Sequence, residues 1–336
     1  MTHAGPAPAP HPSTDPGPDA DTWVVGLDIG GTKIAAGVVG FPSGLVLSRR
    51  VIPTGAGRGG DAVLADALAL ARELMAEGAA RGLSVRGIGV GVAELVDPTG
   101  TITSAHTIAW RGRSPADDFS RLAPAAVESD VRAAALAEAG FGAGRAFGAF
   151  AYVTIGTGIS SCLVQDGRPY AGARGNALVL ASAPLSAVCP RCGAEAHPIL
   201  EDIAAGPALV ARYNRLTSGG ATRGQEVTAA AAAGDAAAVA VVRTAGEALG
   251  VGVGFLVNVL DPEAVVVGGG LGLAGGLYWE SFLASARRHI WADNTRDLSI
   301  IPAALGADAG IVGAAASWRT RTLHQIPSAK RASSER

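Results

Sequence analysis

The run Trp23-Val-Val-Gly-Leu-Asp28-Ile-Gly30-Gly31-Thr32-Lys33-Ile-Ala-Ala-Gly37-Val-Val constrains this chain more than any other stretch. One apolar strand delivers an acid, two glycines, a threonine and a lysine. A second apolar strand leaves at once, so the segment predicts a β-hairpin. Glycine lets the turn adopt φ > 0 and approach a ligand closely. Successive N–H groups in such a turn form an anion-binding nest. A carboxylate at its edge suits Mg²⁺, which prefers hard oxygen ligands. The hairpin is therefore a candidate phosphate loop, with Asp28 placed to hold Mg²⁺. An ordinary glycine hairpin is the alternative.

A second hairpin repeats the pattern. Ala151-Tyr-Val-Thr-Ile-Gly156-Thr157-Gly158-Ile-Ser is again strand, Gly-Thr-Gly turn, strand. A third glycine turn, Gly268-Gly269-Gly270, closes the apolar run Ala264-Val-Val-Val267. Together these imply two related halves facing one nucleotide. The constellation resembles the actin/hexokinase/Hsp70-like ATPase superfamily and, within it, the ROK family of sugar kinases. The motifs that carry the resemblance are Asp28-Ile-Gly-Gly-Thr-Lys33, Glu128-Ser-Asp130, Tyr152-Val-Thr-Ile-Gly-Thr-Gly158, the Cys/His cluster at 189–197 and Pro262-Glu-Ala-Val-Val-Val-Gly-Gly-Gly270. It runs from about Trp23 to Trp318.

The resemblance implies an α/β protein of two ribonuclease-H-like lobes with an active-site cleft between them. The small N-terminal lobe is expected over 23–128 plus a returning helix at 307–322, and the larger lobe over 129–306. Residues 1–22 and 327–336 are polar or Pro/Ala-rich without periodicity and read as disordered tails. The apolar spacing over 61–81 predicts an amphipathic helix, and helices are expected at 199–214, 225–233 and 235–259. A chain of 336 residues suits two domains. Its net charge of −2 makes no electrostatic case for nucleic acid. Much of the 49% hydrophobic content is alanine, and no membrane span is expected. The N-terminus has no signal-peptide pattern, and the cysteine usage is not that of a secreted framework, so the expected compartment is the cytoplasm. Only 27 residues precede Asp28, so the helix-turn-helix module of ROK repressors is not expected. Lysine occurs only at Lys33 and Lys330, which makes Lys33 stand out. A homodimer is implied by the resemblance alone.

ROK kinases transfer the γ-phosphoryl group of ATP to a sugar hydroxyl. That reaction requires held phosphates, offset charge and a positioned acceptor. The two Gly-Thr turns, the third glycine turn and Mg²⁺ would meet the first two needs. The base expected by resemblance is Asp130. The family's Asn-Asp pair reads Ser129-Asp130 here, and an N-cap at either residue is the structural alternative. The acceptor edge departs from the family. Where a Glu-x-Gly-His motif is expected, the chain has Val179-Leu-Ala-Ser182. An expected Pro-Gly is Ala93-Glu94, an expected Asn is His106, and Glu201 is kept. Loss of the Glu and His penalises glucose, and the reading that follows is a C7 cyclitol acceptor. An ordinary hexose or aminosugar kinase using Glu94, His106, Ser182 and Glu201, and a non-catalytic sugar sensor, are the alternatives. Trp110 is either a hydrophobic plug or a substrate wall. Cys189, Cys192 and His197, with Glu195 as a fourth ligand, fit a structural zinc site; a metal-free loop is the other reading.

Overall fold

The computed structural model describes residues 22–188 and 191–325. The expected tails, Thr22 apart, and Cys189 lie outside them. β1 (Thr22–Ile29), β2 (Lys33–Phe41) and β3 (Leu45–Pro53) form an antiparallel meander. α1 (Gly60–Ala80) leads to β4 (Val85–Val92), which pairs parallel with β1. α2 (Pro115–Phe119) precedes β5 (Ala125–Ser129), parallel to β4, and α3 (Asp130–Phe141) starts where β5 ends. The sheet order is β3-β2-β1-β4-β5.

The second half repeats this plan. β6 (Ala149–Ile155), β7 (Ile159–Gln165) and β8 (Arg168–Pro169) form the meander. β9 (Ala187–Val188) and β10 (Glu195–Ala196) pair as a separate ribbon. Then come α4 (Glu201–Ala204), α5 (Gly206–Thr217), α6 (Gly224–Ala232) and α7 (Ala236–Leu260). β11 (Ala264–Gly268) joins β6 in parallel, α8 (Gly276–His289) follows, and β12 (Ser299–Pro302) pairs parallel with β11. The sheet order is β12-β11-β6-β7-β8, the same succession of meander and parallel strands. α9 (Ala309–Gln325) ends the described chain.

Strand alternation distributes the core. On β1, Val25, Leu27 and Ile29 pack with Val63, Ala67, Leu70 and Leu74 of α1. Val24, on the opposite face, packs with Ile311, Val312 and Ala315 of α9. The same period puts Asp28 on the α9 face. Two glycines set how near α9 lies: a Cβ at Gly26 would strike the Ile311 carbonyl, and one at Gly89 the Ala314 carbonyl. In the second half Ala151, Val153 and Ile155 face α5–α8. Phe150 and Tyr152 face the other way, onto Ala134 and Ala135 of α3 and Ala309 of α9. α3 and α9 are thus held between the two sheets.

α7 is long and apolar enough to cross a membrane by length and composition. Its Val241, Val242, Leu249, Val253 and Val257 are buried in the second core, which accounts for that composition. The single helix expected at 199–214 is broken. Ala205 is extended at φ −77°, ψ 161°, and Gly206-Pro207 opens a new helix. Proline has no N–H to continue the earlier helix, and it suits the first turn of a new one, where that N–H would be unpaired in any case.

Candidate active site

Parallel strands that end together gather their loops at one edge, where ligands bind. Asp28 on β1 lies level with Gly91 on β4, and Gly91 with Glu128 on β5. Asp130 is the first residue of α3, two positions on. Its Oδ1 accepts the Val131 N–H at 2.6 Å, and Ser129 makes no side-chain cap bond. Burial, then the nearby carboxylates Asp28 and Glu94, push the Asp130 carboxyl up to about 7 against the pull of the Val131 N–H and Arg132. Burial also raises Asp28 to about 6, with Lys33 opposing. The pull on Asp130 has a visible source. Arg132, almost fully buried, donates to Glu128 (2.7 Å), to the Gly175 carbonyl (2.8 Å) and to the Val96 carbonyl (2.6 Å). Arg321 of α9 closes the set on Glu128 at 3.0 Å.

The first turn is closed by Gly30 N–H on the Lys33 carbonyl (3.0 Å). Thr54, fully buried, braces it: its hydroxyl donates to the Gly30 carbonyl (2.6 Å) and its N–H to the Thr32 carbonyl (3.0 Å). Thr32 and Lys33 are exposed at the tip. The second turn is closed by Gly156 N–H on the Gly158 carbonyl (2.9 Å), and Gly206 N–H at the start of α5 holds the Gly156 carbonyl (2.9 Å). The break at Ala205 therefore serves the second turn. The third turn sits on the same strand end, with Leu271 and Gly272 N–H donating to the Ile155 carbonyl at 3.0 and 3.2 Å. Gly269 has φ 83°, and a Cβ there would enter the Ile155 backbone. The structure thus joins Gly156–Gly158 to Gly268–Gly270. Tyr152, deeply buried below, has its phenol raised by burial and then by Glu138, Asp130 and Asp28. A residue of the second sheet therefore feels the carboxylates of the first.

Asp28 suits a cation. Its carboxylate makes no hydrogen bond among the described residues and rests against Gly310, where a Cβ would fill its place. Thr54, Arg132 and Tyr152 are site-shaping residues that sequence reasoning missed; Thr54 alone had a signal, being the residue where the third strand of the meander returns to the turn.

Of the expected acceptor contacts Glu94 is filled, and Glu201 and Ser182 each make one side-chain hydrogen bond among the described residues. Glu94, 5% exposed, takes His106 N–H (3.0 Å), Thr107 N–H (2.6 Å), Ile108 N–H (2.8 Å) and the Ser104 hydroxyl. A carboxylate has about four acceptor sites, so none is left for a substrate hydroxyl. Glu201 accepts the Ile159 N–H at 2.7 Å and lies against Gly158, bracing the second turn. Ser182 is exposed and donates to the Val179 carbonyl (2.8 Å). The His106 side chain is exposed and makes no hydrogen bond among the described residues. Trp110 is a plug: fully buried, its Nε1 donates to the Gly60 carbonyl at 2.6 Å.

The zinc expectation is not met by the described residues. Cys189 lies outside them, Cys192 is exposed, and the His197 nitrogens face Ser186 (3.1 Å) and Glu195 (3.2 Å). No group of three metal-ligating side chains occurs among the described residues.

The model of the ROK family matches residues 24–321. The chain belongs to the ROK family. It is 32% identical over 312 residues to a glucokinase of Streptomyces coelicolor, covering 87% of this chain and 96% of the relative. The crystal structure of a ROK-family glucokinase from Streptomyces griseus in complex with glucose and AMPPNP superposes with a TM-score of 0.74 at 31% identity, over 89% of this chain and 99% of that one. The ROK hexokinase of Thermus thermophilus gives 0.74 at 32%, over 90% and 100%. The two five-stranded sheets of this ROK protein are the two lobes of the actin-like ATPase fold.

Proposed function

We propose that this ROK protein is an ATP-dependent sugar kinase whose acceptor hydroxyl is deprotonated by Asp130. The observation that carries the reading is a carboxylate raised to about 7 at the end of parallel strands, beside Asp28 and a brace-held phosphate turn. A group titrating near neutrality accepts a proton most effectively there. The backbone of Gly30–Thr32, with Lys33, would hold the phosphates from one side, and Gly156–Gly158 with Gly268–Gly270 from the other. Asp28 would hold Mg²⁺, directly or through water, and the ion would offset phosphate charge. Asp130 Oδ2 is clear of the Val131 bond and is the oxygen left to take the proton of a primary hydroxyl.

The finer reading is an acceptor with an altered C1/C2 edge, a C7 cyclitol. The acceptor capacity of Glu94 is filled by the Ser104 hydroxyl and three backbone N–H groups, and the position of the family's Glu carries Val179, 44% exposed. A glucose hydroxyl left without its partner costs about 1–3 kcal/mol, and a ring lacking that hydroxyl avoids the cost. ADP release across hexoses, aminosugars and C7 cyclitols tests both levels. Faster turnover of a cyclitol supports the finer reading, and equal or faster turnover of glucose removes it. ADP release from none, with sugar binding retained, identifies a sensor.

A further inference from the structure

Glu94 is a buried acid with no cation paired to it among the described residues, in the loop that leaves β4. Its two oxygens gather the Ser104 hydroxyl and three successive N–H groups, His106, Thr107 and Ile108. Ser104 Oγ also accepts the Leu95 N–H at 2.9 Å, so the clamp is tied at both ends. The clamped segment is not remote. The Thr107 methyl lies where a Cβ on Gly31 would go, against the first phosphate turn. Glu94 itself is close enough to Asp130 to act on its charge. An acceptor whose hydroxyl meets Asp130 and whose new phosphate bond forms at that turn must lie beside residues 104–108. His106 is exposed there with its ring unbonded among the described residues.

We propose that Glu94 is a positioning residue for the acceptor, holding the 104–108 loop in the one shape that admits it. This rests on the kinase reading above. The chemistry demands an acid: converging donors need an acceptor-only group. Glutamine would present one oxygen and turn its NH₂ toward backbone N–H groups. Burial works against ionisation of Glu94, and the Ser104 hydroxyl with the three N–H groups outweighs it, holding the carboxyl below its usual range. The phosphate turn has its own brace in Thr54. Loss of the clamp therefore loosens the acceptor loop and leaves nucleotide binding in place.

The test is Glu94→Gln in the full chain, with Ser104→Ala as the milder variant that keeps the carboxylate. Amide hydrogen exchange at 106–108 is measured first, because it needs no turnover. Opening of a local clamp predicts exchange faster by about 10²-fold in Glu94→Gln, less in Ser104→Ala, with α1 and α7 unchanged. Kinetics with the best acceptor then read the role: acceptor KM rises about tenfold or more while ATP KM stays within about threefold. Unchanged exchange at 106–108 overturns the clamp. Faster exchange with both KM values unchanged, or raised together, overturns the positioning role. If the wild type releases no ADP with any polyol, the kinase reading fails while the exchange result still judges the clamp.

Discussion

At Asp130 the burial that penalises ionisation is what brings the carboxyl into the range of a base. Its ordinary value of 3.8 moves to about 7. As a base it must be ionised, so kcat/KM should rise with pH through an apparent pKa near 7, and a profile flat from pH 5.5 to 8.5 would assign the proton elsewhere. The same shift has a stability consequence of definite sign. An acid whose folded pKa is raised binds its proton more tightly when folded. The penalty is absent below about pH 4, grows as pH rises and is complete above about 7. Asp130→Asn should therefore unfold at higher denaturant than the wild type at pH 8, by on the order of 1–2 kcal/mol once partial exposure is discounted, and show no gain at pH 3.5. The resemblance named Asp130 as the candidate base, and the structure places it where β5 ends and α3 begins. The sequence did not reveal that Glu94 and Glu201 serve the backbone, because residue type gives the donor and acceptor inventory and only the fold decides who fills it.

The elements were legible where periodicity is strong. The hairpins around Asp28 and Thr157 form as expected, because turn glycines between apolar runs mark them, and α1 falls at 60–80 against the expected 61–81, because helical spacing holds over its length. β12 has four residues, Ser299–Pro302, too few for a period to register. The break at Ala205 had a signal in Gly206-Pro207, which the apolar spacing across it outweighed in the reading of one helix. Its consequence is local to the second turn, where Gly206 donates to Gly156. Close packing of α9 left no such signal: glycine inside a strand weakens it, yet Gly26 and Gly89 are each a backbone contact with α9. Gly89→Ala should cost about 1–3 kcal/mol by overpacking, measured by urea unfolding. An unchanged midpoint would mean that α9 moves away freely. Because Asp28 rests on Gly310 of the same helix, the variant should also raise ATP KM.

At the scale of the molecule, one plan is used twice. Each half is a three-stranded meander continued by two parallel strands, and corresponding strand ends carry Asp28 in one and Thr154 in the other. α3 and α9 lie between the sheets, so Asp130, Asp28 and the returning helix share one packing unit. Arg132 fastens that unit by joining α3 to Val96 and Gly175. Arg132→Ala would leave Glu128 with Arg321 and the Ser129 N–H but strip the Val96 and Gly175 carbonyls of their donor, and should destabilise by about 1–3 kcal/mol, measured by urea unfolding. The proposed transfer turns on one carboxyl group, Asp130, near the first glycine turn. The most direct measurement is single-turnover transfer from ATP to the best polyol acceptor, comparing wild type with Asp130→Asn at pH 8 under saturating ATP and Mg²⁺. The account predicts transfer slower by about 10²–10⁴-fold in the variant, with nucleotide still bound. Transfer at the wild-type rate would contradict it.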